Sequence, residues 1–152
     1  MFNRIVIILI ITGFIYAKDE QKVVLITGTA YGIGKSTAEL LIDKGHIVYG
    51  GDILVEENLY LNDIGGTALE MDVTNQEHID KAINQIISEQ GRVDVLVNNA
   101  GLGVYGAIED VSMEDIYYQY DVNLFGLARV TKAVLPYMRE KESGLIINIS
   151  SV

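Results

Sequence analysis

The chain has 152 residues, enough for one domain with a buried core, and its composition of 49% hydrophobic and 21% charged residues is that of a globular protein. The formal net charge of −10 opposes binding to nucleic acid, and it also opposes docking on an anionic membrane through a basic patch. The lack of cysteine excludes disulfide bonds and thiolate catalysis, and it leaves the redox compartment open.

The N-terminal segment differs from the rest of the chain. Arg4 precedes an almost entirely apolar stretch at 5–16, and Ala17 is followed by charged residues. The stretch is shorter than the ~20 residues of a membrane-spanning helix but fits the apolar part of a secretion signal. A signal cleaved after Ala17 or an uncleaved anchor is one interpretation, and an extension upstream of the true start codon or a first strand are the others. We place residues 1–20 outside the fold and expect membrane contact only through them.

From Val23 onward, short β-branched runs alternate with helix-like stretches. Such runs are typical of strands buried on both faces, and strands separated by helices predict right-handed crossovers. We therefore expect an α/β domain over residues 21–152, with about five parallel strands. The predicted strands are Val23–Ile26, His46–Gly50, Ala68–Met71, Val93–Val97 and Leu145–Ile149, and the predicted helices are Gly32–Lys44, Val55–Asn62, Thr74 to about Gln90, and Ser112 to about Met138.

Two short patterns predict where helices begin. Thr74 is followed three residues later by Glu77, and Ser112 is followed three residues later by Asp115. A hydroxyl residue with an acid three positions on is the pattern of a capping box. Thr74 and Ser112 are therefore the predicted N-terminal caps of their helices.

A glycine-rich turn joins the first predicted strand to the first predicted helix. The free N–H groups and the dipole of a helix N-terminus favour an anion such as a pyrophosphate, and glycines let the backbone approach it. The alternative is that the turn only connects the strand to the helix and binds no ligand. Gly34-Lys35-Ser36 resembles the end of a nucleoside triphosphatase phosphate loop, but its spacing from Gly28 is one residue too long, so we reject that interpretation.

An acidic residue, Asp52, follows the second predicted strand. It lies about twenty residues beyond the glycines, where dinucleotide-binding folds place an acid that hydrogen-bonds the ribose hydroxyls. At 4 Å its charge would repel a 2′-phosphate by ~1 kcal/mol in water and ~4 kcal/mol at an intermediate effective dielectric. Ile53 offers no positive charge to receive a phosphate. We expect NAD to be preferred over NADP, with a solvated loop aspartate as the alternative.

Four further motifs complete a pattern. Asp72-Val73 closes the third strand, Asn98-Asn99-Ala100-Gly101 the fourth and Asn148-Ile-Ser150-Ser151 the fifth, while Asp121-Val-Asn123 lies in the long helix. With the glycine turn, in this order and spacing, they resemble the short-chain dehydrogenase/reductase family over about residues 22–152. The sequence around Asn98 to Gly101 is most similar to that of the branch with hydroxysteroid and retinol dehydrogenases.

The resemblance implies a fold and a reaction. The fold is a Rossmann-type doubly wound parallel sheet, here incomplete. The reaction is hydride transfer between a nicotinamide cofactor and a small alcohol or ketone. The resemblance also allows a homo-oligomer in a full-length form. It places the protein in the cytoplasm, unless residues 1–17 act as a signal or anchor.

The resemblance further implies roles for individual residues, and no metal ligand is among them. Asp52 would hold the ribose, Asp72 would meet the adenine amino group, and Val73 would pack against the adenine ring. Asn123 would support a proton relay through water, and Ser151 would orient the substrate oxygen. The other residues expected at the cofactor are Thr27, Gly28, Tyr31, Gly32, Ile33 and Gly34 around the pyrophosphate, and Asn98, Asn99, Ala100 and Gly101 beside it.

The sequence itself predicts that Asn123 is buried. A buried amide without partners costs ~1–3 kcal/mol, so Asn123 should be either functional or bonded to backbone. The apolar residues that share its face of the helix are Ile116, Tyr120, Leu127, Val130 and Val134.

The chemistry of the family also needs a tyrosine and, four residues later, a lysine on the helix after the serine. Two pairs have this spacing, Tyr31 with Lys35 and Tyr137 with Lys141, but both precede Ser151 and we reject both. We expect the chain to be a fragment without turnover of its own. A truncated dehydrogenase and a non-catalytic nucleotide-binding protein both stay open.

Overall fold

The computed structural model describes residues 20–150, so the signal-like segment, except Glu20, and Ser151 lie outside the described residues. The described residues form a parallel five-stranded sheet in the order β3-β2-β1-β4-β5, with helices on both faces, which confirms the predicted fold class. Within this part of the chain, no helix has the length and apolarity needed to cross a membrane. The elements are β1 Val23–Thr27, α1 Gly32–Asp43, β2 Ile47–Asp52, α2 Val55–Asn58, α3 Tyr60–Asp63, β3 Thr67–Glu70, α4 Gln76–Gln90, β4 Val95–Asn98, α5 Met113–Tyr120, a π-helical turn Asp121–Gly126, α6 Leu127–Glu140 and β5 Leu145–Asn148.

The central strand β1 has no face toward water. Val23 and Leu25 pack on the side of α4 and α6, while Val24 and Ile26 pack on the side of α1. All four side chains are buried, and burial stabilises each by roughly 1.5–3 kcal/mol relative to exposure. The apolar run in the sequence is continuous because helices cover both faces of this strand.

The two predicted helix starts had different outcomes. Ser112 is confirmed as a cap, because its Oγ accepts the N–H of Asp115 at 3.0 Å. The prediction for Thr74 is wrong, since Asn75 caps α4 and accepts the N–H of Glu77 at 2.9 Å. An asparagine amide oxygen is as good an acceptor at this position as a hydroxyl, and Thr74 is engaged elsewhere.

The predicted long helix is one continuous element with a change of pitch inside it. A single π-helical turn separates α5 from α6, and such a turn contains more residues than an α turn. Val122 and Gly126 are consequently buried, and Asn123 is exposed, so the predicted burial of Asn123 is wrong. A Cβ on Gly126 would lie 2.6 Å from Cγ2 of Val73, and glycine thus permits this close approach.

The edge of the sheet at which the strands begin is held by one buried carboxylate. Asp94 Oδ2 accepts the backbone N–H of Val23 at 2.8 Å and Nε of Arg92 at 2.9 Å, and Oδ1 accepts Nζ of Lys141 at 2.6 Å. Burial opposes ionisation of Asp94, but the hydrogen bonds from Lys141, Val23 and Arg92 outweigh it and lower the pKa to about 2. One side chain thus joins the starts of β1 and β4 to the end of α6.

We predict that Asp94 makes the protein sensitive to acid. The pKa of Asp94 is lower in the folded chain than in the unfolded one (~3.9). Its contribution to the free energy of unfolding is therefore present in full above about pH 4. The contribution, about 2 kcal/mol from the size of the shift, is lost as the pH falls toward 2. Asp94→Asn should lower the free energy of unfolding at pH 7 by at least that amount and flatten its decline below pH 4. Urea denaturation at pH 7, 4 and 3 measures both effects.

The control is Asp63→Asn, an exposed carboxylate at the end of α3. It should leave the unfolding free energy within about 0.5 kcal/mol of the unmodified chain. Equal losses in the two variants would contradict the role given to Asp94.

Candidate functional site

The opposite edge of the sheet, where the strands end, contains a cleft of about 310 Å³. The loops after β1, β2, β3 and β4 meet there, as parallel topology requires. Eight of the residues predicted to bind a cofactor line this first cleft: Gly28, Tyr31, Asp52, Asp72, Val73, Asn99, Ala100 and Gly101.

The glycine turn forms one wall of the first cleft. Gly28 has φ +75°, and a Cβ on it would lie 2.9 Å from Cα of Ala100. A Cβ on Gly34 would overlap the carbonyl oxygen of Gly28, so α1 packs directly against the turn. Gly32 has φ +60° and, within the described residues, open space where a Cβ would stand.

The N-terminus of α1 is available to an anion. Tyr31 occupies the cap position, and among the described residues no side chain caps the helix. The first turn also carries no acidic residue. The free N–H groups and the positive end of the helix dipole therefore point toward the space beside Gly32, an arrangement that fits a pyrophosphate.

Thr27 and Asn99 lock the turn to the end of β4. The Thr27 hydroxyl accepts the N–H groups of Asn99 at 3.0 Å and of Ala100 at 2.9 Å. In return, Nδ2 of Asn99 donates to the carbonyl oxygens of Thr27 and Gly28, both at 2.9 Å. Thr27 itself is buried. These two predicted residues therefore shape the cleft by fixing backbone.

Asn98 faces away from the first cleft. Its Nδ2 donates to Oγ1 of Thr131 at 3.0 Å and to Oδ1 of Asn148 at 2.9 Å. Its own Oδ1 is buried and, among the described residues, has no hydrogen-bond partner. Asn98 thus joins β4 to β5 and α6, and it does not line the first cleft.

Asp52 is bonded to the backbone of two loops, the glycine turn and the segment after β2. Oδ2 accepts the N–H of Ala30 at 2.9 Å, and Oδ1 accepts the N–H of Leu54 at 2.9 Å. Each carboxylate oxygen keeps a further lone pair that can accept a ligand hydroxyl. The residue therefore joins the glycine turn to the end of β2 and can also meet a ribose.

Tyr60 and Lys35 lie beside the glycine turn. Burial, followed by the charges of Glu39 and Asp52, raises the pKa of Tyr60 to about 12. The hydroxyl stays protonated and donates to the carbonyl oxygen of Thr29 at 3.0 Å. Nζ of Lys35 lies 4.2 Å from the centre of the Tyr60 ring, a cation–π contact.

Asp72 is held by a residue that the sequence pattern assigned elsewhere. Its Oδ1 accepts the N–H of Thr74 at 2.8 Å and the Thr74 hydroxyl at 2.7 Å. This is why Thr74 does not cap α4. An aspartate two residues before a threonine is typical of a local side-chain-to-backbone turn, and that signal could have identified Thr74.

Asn123 holds the segment after β4. Its Oδ1 accepts the N–H of Leu102 at 2.9 Å, and its Nδ2 donates to the carbonyl oxygen of Leu102 at 2.8 Å. Of the two alternatives for this amide, bonding to backbone is the one observed, although outside the core. A role in proton relay stays a prediction.

A second cleft, of about 560 Å³, lies on the other side of the segment from Asn99 to Leu102. Ile33, predicted at the pyrophosphate, lines this second cleft and is exposed. Ser150 lines it as well, whereas Ser151 is outside the described residues. Among residues 20–150, no group of histidine and acidic side chains could hold a metal ion.

The lysines of the two rejected tyrosine–lysine pairs contact other groups. Nζ of Lys35 contacts the ring of Tyr60, whereas Tyr31 is exposed at the first cleft. Lys141 bonds Asp94 at the opposite edge of the sheet, and Tyr137 packs against the core.

Sequence reasoning missed several apolar residues of the first cleft. They are neighbours of predicted site residues in the chain or lie on the long helix, and no pattern distinguished them from ordinary core. They are Ile53, Leu54, Met71, Leu102, Tyr118 and Val122.

The sheet order, the glycine turn and the cleft at the strand ends define a Rossmann-type domain of the dinucleotide-binding class. Residues 22–152 match the family described as "short chain dehydrogenase", and the chain belongs to that family. A 3-ketodihydrosphingosine reductase of Bacteroides thetaiotaomicron is 48% identical over 134 residues, which are 88% of this chain and 48% of that protein. A 3-oxoacyl-[acyl-carrier-protein] reductase of Thermotoga maritima is 39% identical over 140 residues, and the match covers 88% of this chain and 56% of that protein.

Solved structures agree with the family. A short-chain dehydrogenase from Streptomyces avermitilis superimposes with a TM-score of 0.79 and 38% identity, covering 86% of this chain and 49% of its own. The ligand-free aldohexose dehydrogenase of Thermoplasma acidophilum superimposes with a TM-score of 0.75 and 40% sequence identity, covering 86% of this chain and 49% of that chain. The chain spans about half the length of these relatives. They do not support the expected likeness to the hydroxysteroid and retinol dehydrogenase branch.

We predict that the Thr27 hydroxyl is essential to the shape of the first cleft. Thr27→Val would leave two half-buried N–H groups without this acceptor. The loss of unfolding free energy should be at most about 1–3 kcal/mol for each one, the penalty of a fully buried group. Hydrogen exchange at the amides of Asn99 and Ala100 should become faster. Thr27→Ser keeps the hydroxyl and should retain most of the protection. If valine and serine gave equal exchange rates, the hydroxyl would not be the acceptor that matters.

Proposed function

We propose that this chain is the cofactor-binding part of an NAD-dependent oxidoreductase that transfers hydride between the nicotinamide ring and an alcohol or ketone. The observation that carries the proposal is the glycine turn at the uncapped N-terminus of α1, with Asp52 beside it. The membership of the short-chain dehydrogenase family supports it.

The residues of the first cleft fit the parts of a dinucleotide. The backbone from Gly28 to Gly34 would hold the pyrophosphate, because no side chain of residues 20–150 fills the space beside Gly32. Asp52 would accept the ribose hydroxyls with its remaining lone pairs. Asp72, fixed by Thr74, and Val73 would contact the adenine. When bound, the cofactor supplies or accepts the hydride.

The substrate would lie in the second cleft. Asn123 would keep Leu102 in place between the two ligands through its paired hydrogen bonds, and we propose that Ser151 orients the substrate oxygen. We assign this chain cofactor binding and substrate orientation, because Lys35 and Lys141, the lysines of the two pairs with the family's spacing, contact Tyr60 and Asp94. The name of the Bacteroides relative makes 3-ketodihydrosphingosine the first ketone to test.

Asp52 is the basis for a preference between the two nicotinamide dinucleotides. Its carboxylate faces the first cleft, and the neighbouring lining residues Ile53 and Leu54 are apolar. A 2′-phosphate would meet a negative charge and no compensating cation among the lining residues. At 4 Å such repulsion is ~1–4 kcal/mol, which corresponds to a factor of about five to several hundred in affinity.

We predict that the chain binds NADH at least tenfold more tightly than NADPH. Asp52→Ala should narrow that ratio by removing the repulsion. It should also weaken binding of both dinucleotides, because the N–H groups of Ala30 and Leu54 lose their acceptor. Titration calorimetry with both dinucleotides measures the two effects separately.

The matched control is Glu56→Ala, which removes the same charge from an exposed position close to β2. It should change neither affinity by more than about twofold. Tighter binding of NADPH than of NADH by the unmodified chain would refute the assignment of Asp52.

A further inference from the structure

A buried polar pair, Thr29 and Asn58, lies behind the glycine turn. The Thr29 hydroxyl donates to Oδ1 of Asn58 at 2.8 Å, and both residues are at most 1% exposed. Nδ2 of Asn58 donates to the carbonyl oxygen of Gly50 in β2 at 2.8 Å and to that of Leu69 in β3 at 3.4 Å. The two carbonyl groups fix the orientation of the Asn58 amide, so its oxygen faces Thr29 and the hydroxyl must donate.

The backbone at Thr29 has a support of its own. The hydroxyl of Tyr60, at the start of α3, donates to the carbonyl oxygen of Thr29 at 3.0 Å. The residues on either side of Thr29 are bonded to β2 through their N–H groups, one to the carbonyl oxygen of Gly51 at 2.7 Å and the other to the Asp52 carboxylate at 2.9 Å. Three consecutive residues of the turn are therefore fixed by β2 and by the two short helices that follow it.

These side chains act on a ligand only through the backbone that they hold. Thr29, Asn58 and Tyr60 are not among the residues that line the first or the second cleft. Thr29 is followed closely by Tyr31 and Gly32, where α1 begins and its N-terminus is available to an anion. A satisfied polar network specifies one arrangement of the groups that it joins. A turn held in its binding conformation before the ligand arrives loses less entropy on binding.

We propose that Asn58 and Tyr60 are positioning residues for the pyrophosphate of the cofactor. By holding the side chain and the backbone of Thr29, they keep the glycine turn in the conformation that directs its N–H groups to the anion. The adenine depends on them less, because its proposed contacts, Asp72 and Val73, follow β3. The inference rests on the proposed function, since it adds two residues to the same binding site.

The test compares ADP with adenosine as ligands of the 152-residue chain, because the two differ only in the diphosphate. Backbone amide NMR gives both affinities and shows whether each variant is folded. Thr29→Val removes the hydroxyl and should weaken ADP binding by about fivefold or more, the equivalent of one net hydrogen bond, while adenosine binding changes less than about twofold. Thr29→Ser keeps the hydroxyl and should bind ADP within about twofold of the unmodified chain. Equal ADP affinities of the two variants, or equal losses for ADP and adenosine, would overturn the role of Asn58.

Tyr60→Phe tests the second support, since it removes the hydroxyl and keeps the ring that Lys35 contacts. It should weaken ADP binding by about threefold or more and leave adenosine binding within about twofold. The matched control is Tyr49→Phe, which removes a hydroxyl that donates to Glu89 at 2.6 Å on the α4 side of the sheet, and it should change ADP binding less than about twofold. This comparison decides the proposal if a substitution at the buried Thr29 prevents folding. Equal ADP affinities of the two phenylalanine variants would overturn the role of Tyr60.

NADH titrated into the unmodified chain distinguishes the two levels of inference. If NADH binds and the valine and phenylalanine variants keep their ADP affinity, the positioning roles are wrong and the assignment of the first cleft stands. If neither NADH nor ADP binds the unmodified chain, the proposed function fails, and the present inference fails with it.

Discussion

The close contact between the glycine turn and the end of β4 is the constraint on which the rest of the site depends. Gly28 lies so near Ala100 that a methyl group could not fit without a shift, and Gly34 lies still closer to Gly28. Strand β1 reaches this contact only because helices bury both of its faces, and Asp94 holds its other end in place. Core packing thus sets the position of the backbone, and the backbone in turn shapes the first cleft.

Structural and binding roles coincide in the same side chains. Asp52 joins two loops through its carboxylate and is also the group proposed to meet a ribose. Thr27 and Asn99 contribute almost only through hydrogen bonds to backbone. Substituting such residues changes the shape of the cleft as well as its chemistry, so loss of binding alone would not identify a ligand contact.

Much of the fold could be predicted because its signals are local. The β-branched runs identified the strands, and Ser112 identified the start of a helix. The glycine turn and Asp52 were found because their chemistry needs particular residues at particular spacings. Asn123 was placed wrongly because a π-helical turn shifts the helix face, and nothing in the residue pattern marks that turn. The second cleft was not foreseen, because no motif distinguishes lining residues such as Leu127 and Ile149 from ordinary apolar residues of a helix and a strand.

The paired hydrogen bonds between Asn123 and Leu102 have a consequence for how ligands influence each other. Leu102 belongs to the lining of both clefts, and its backbone is held by one amide at the π-helical turn. A ligand that moves this shared wall alters the free energy of binding in the neighbouring cleft. By thermodynamic linkage the second ligand then alters the binding of the first by the same factor. The wall between the clefts is therefore a physical route for cooperativity, whichever ligand arrives first.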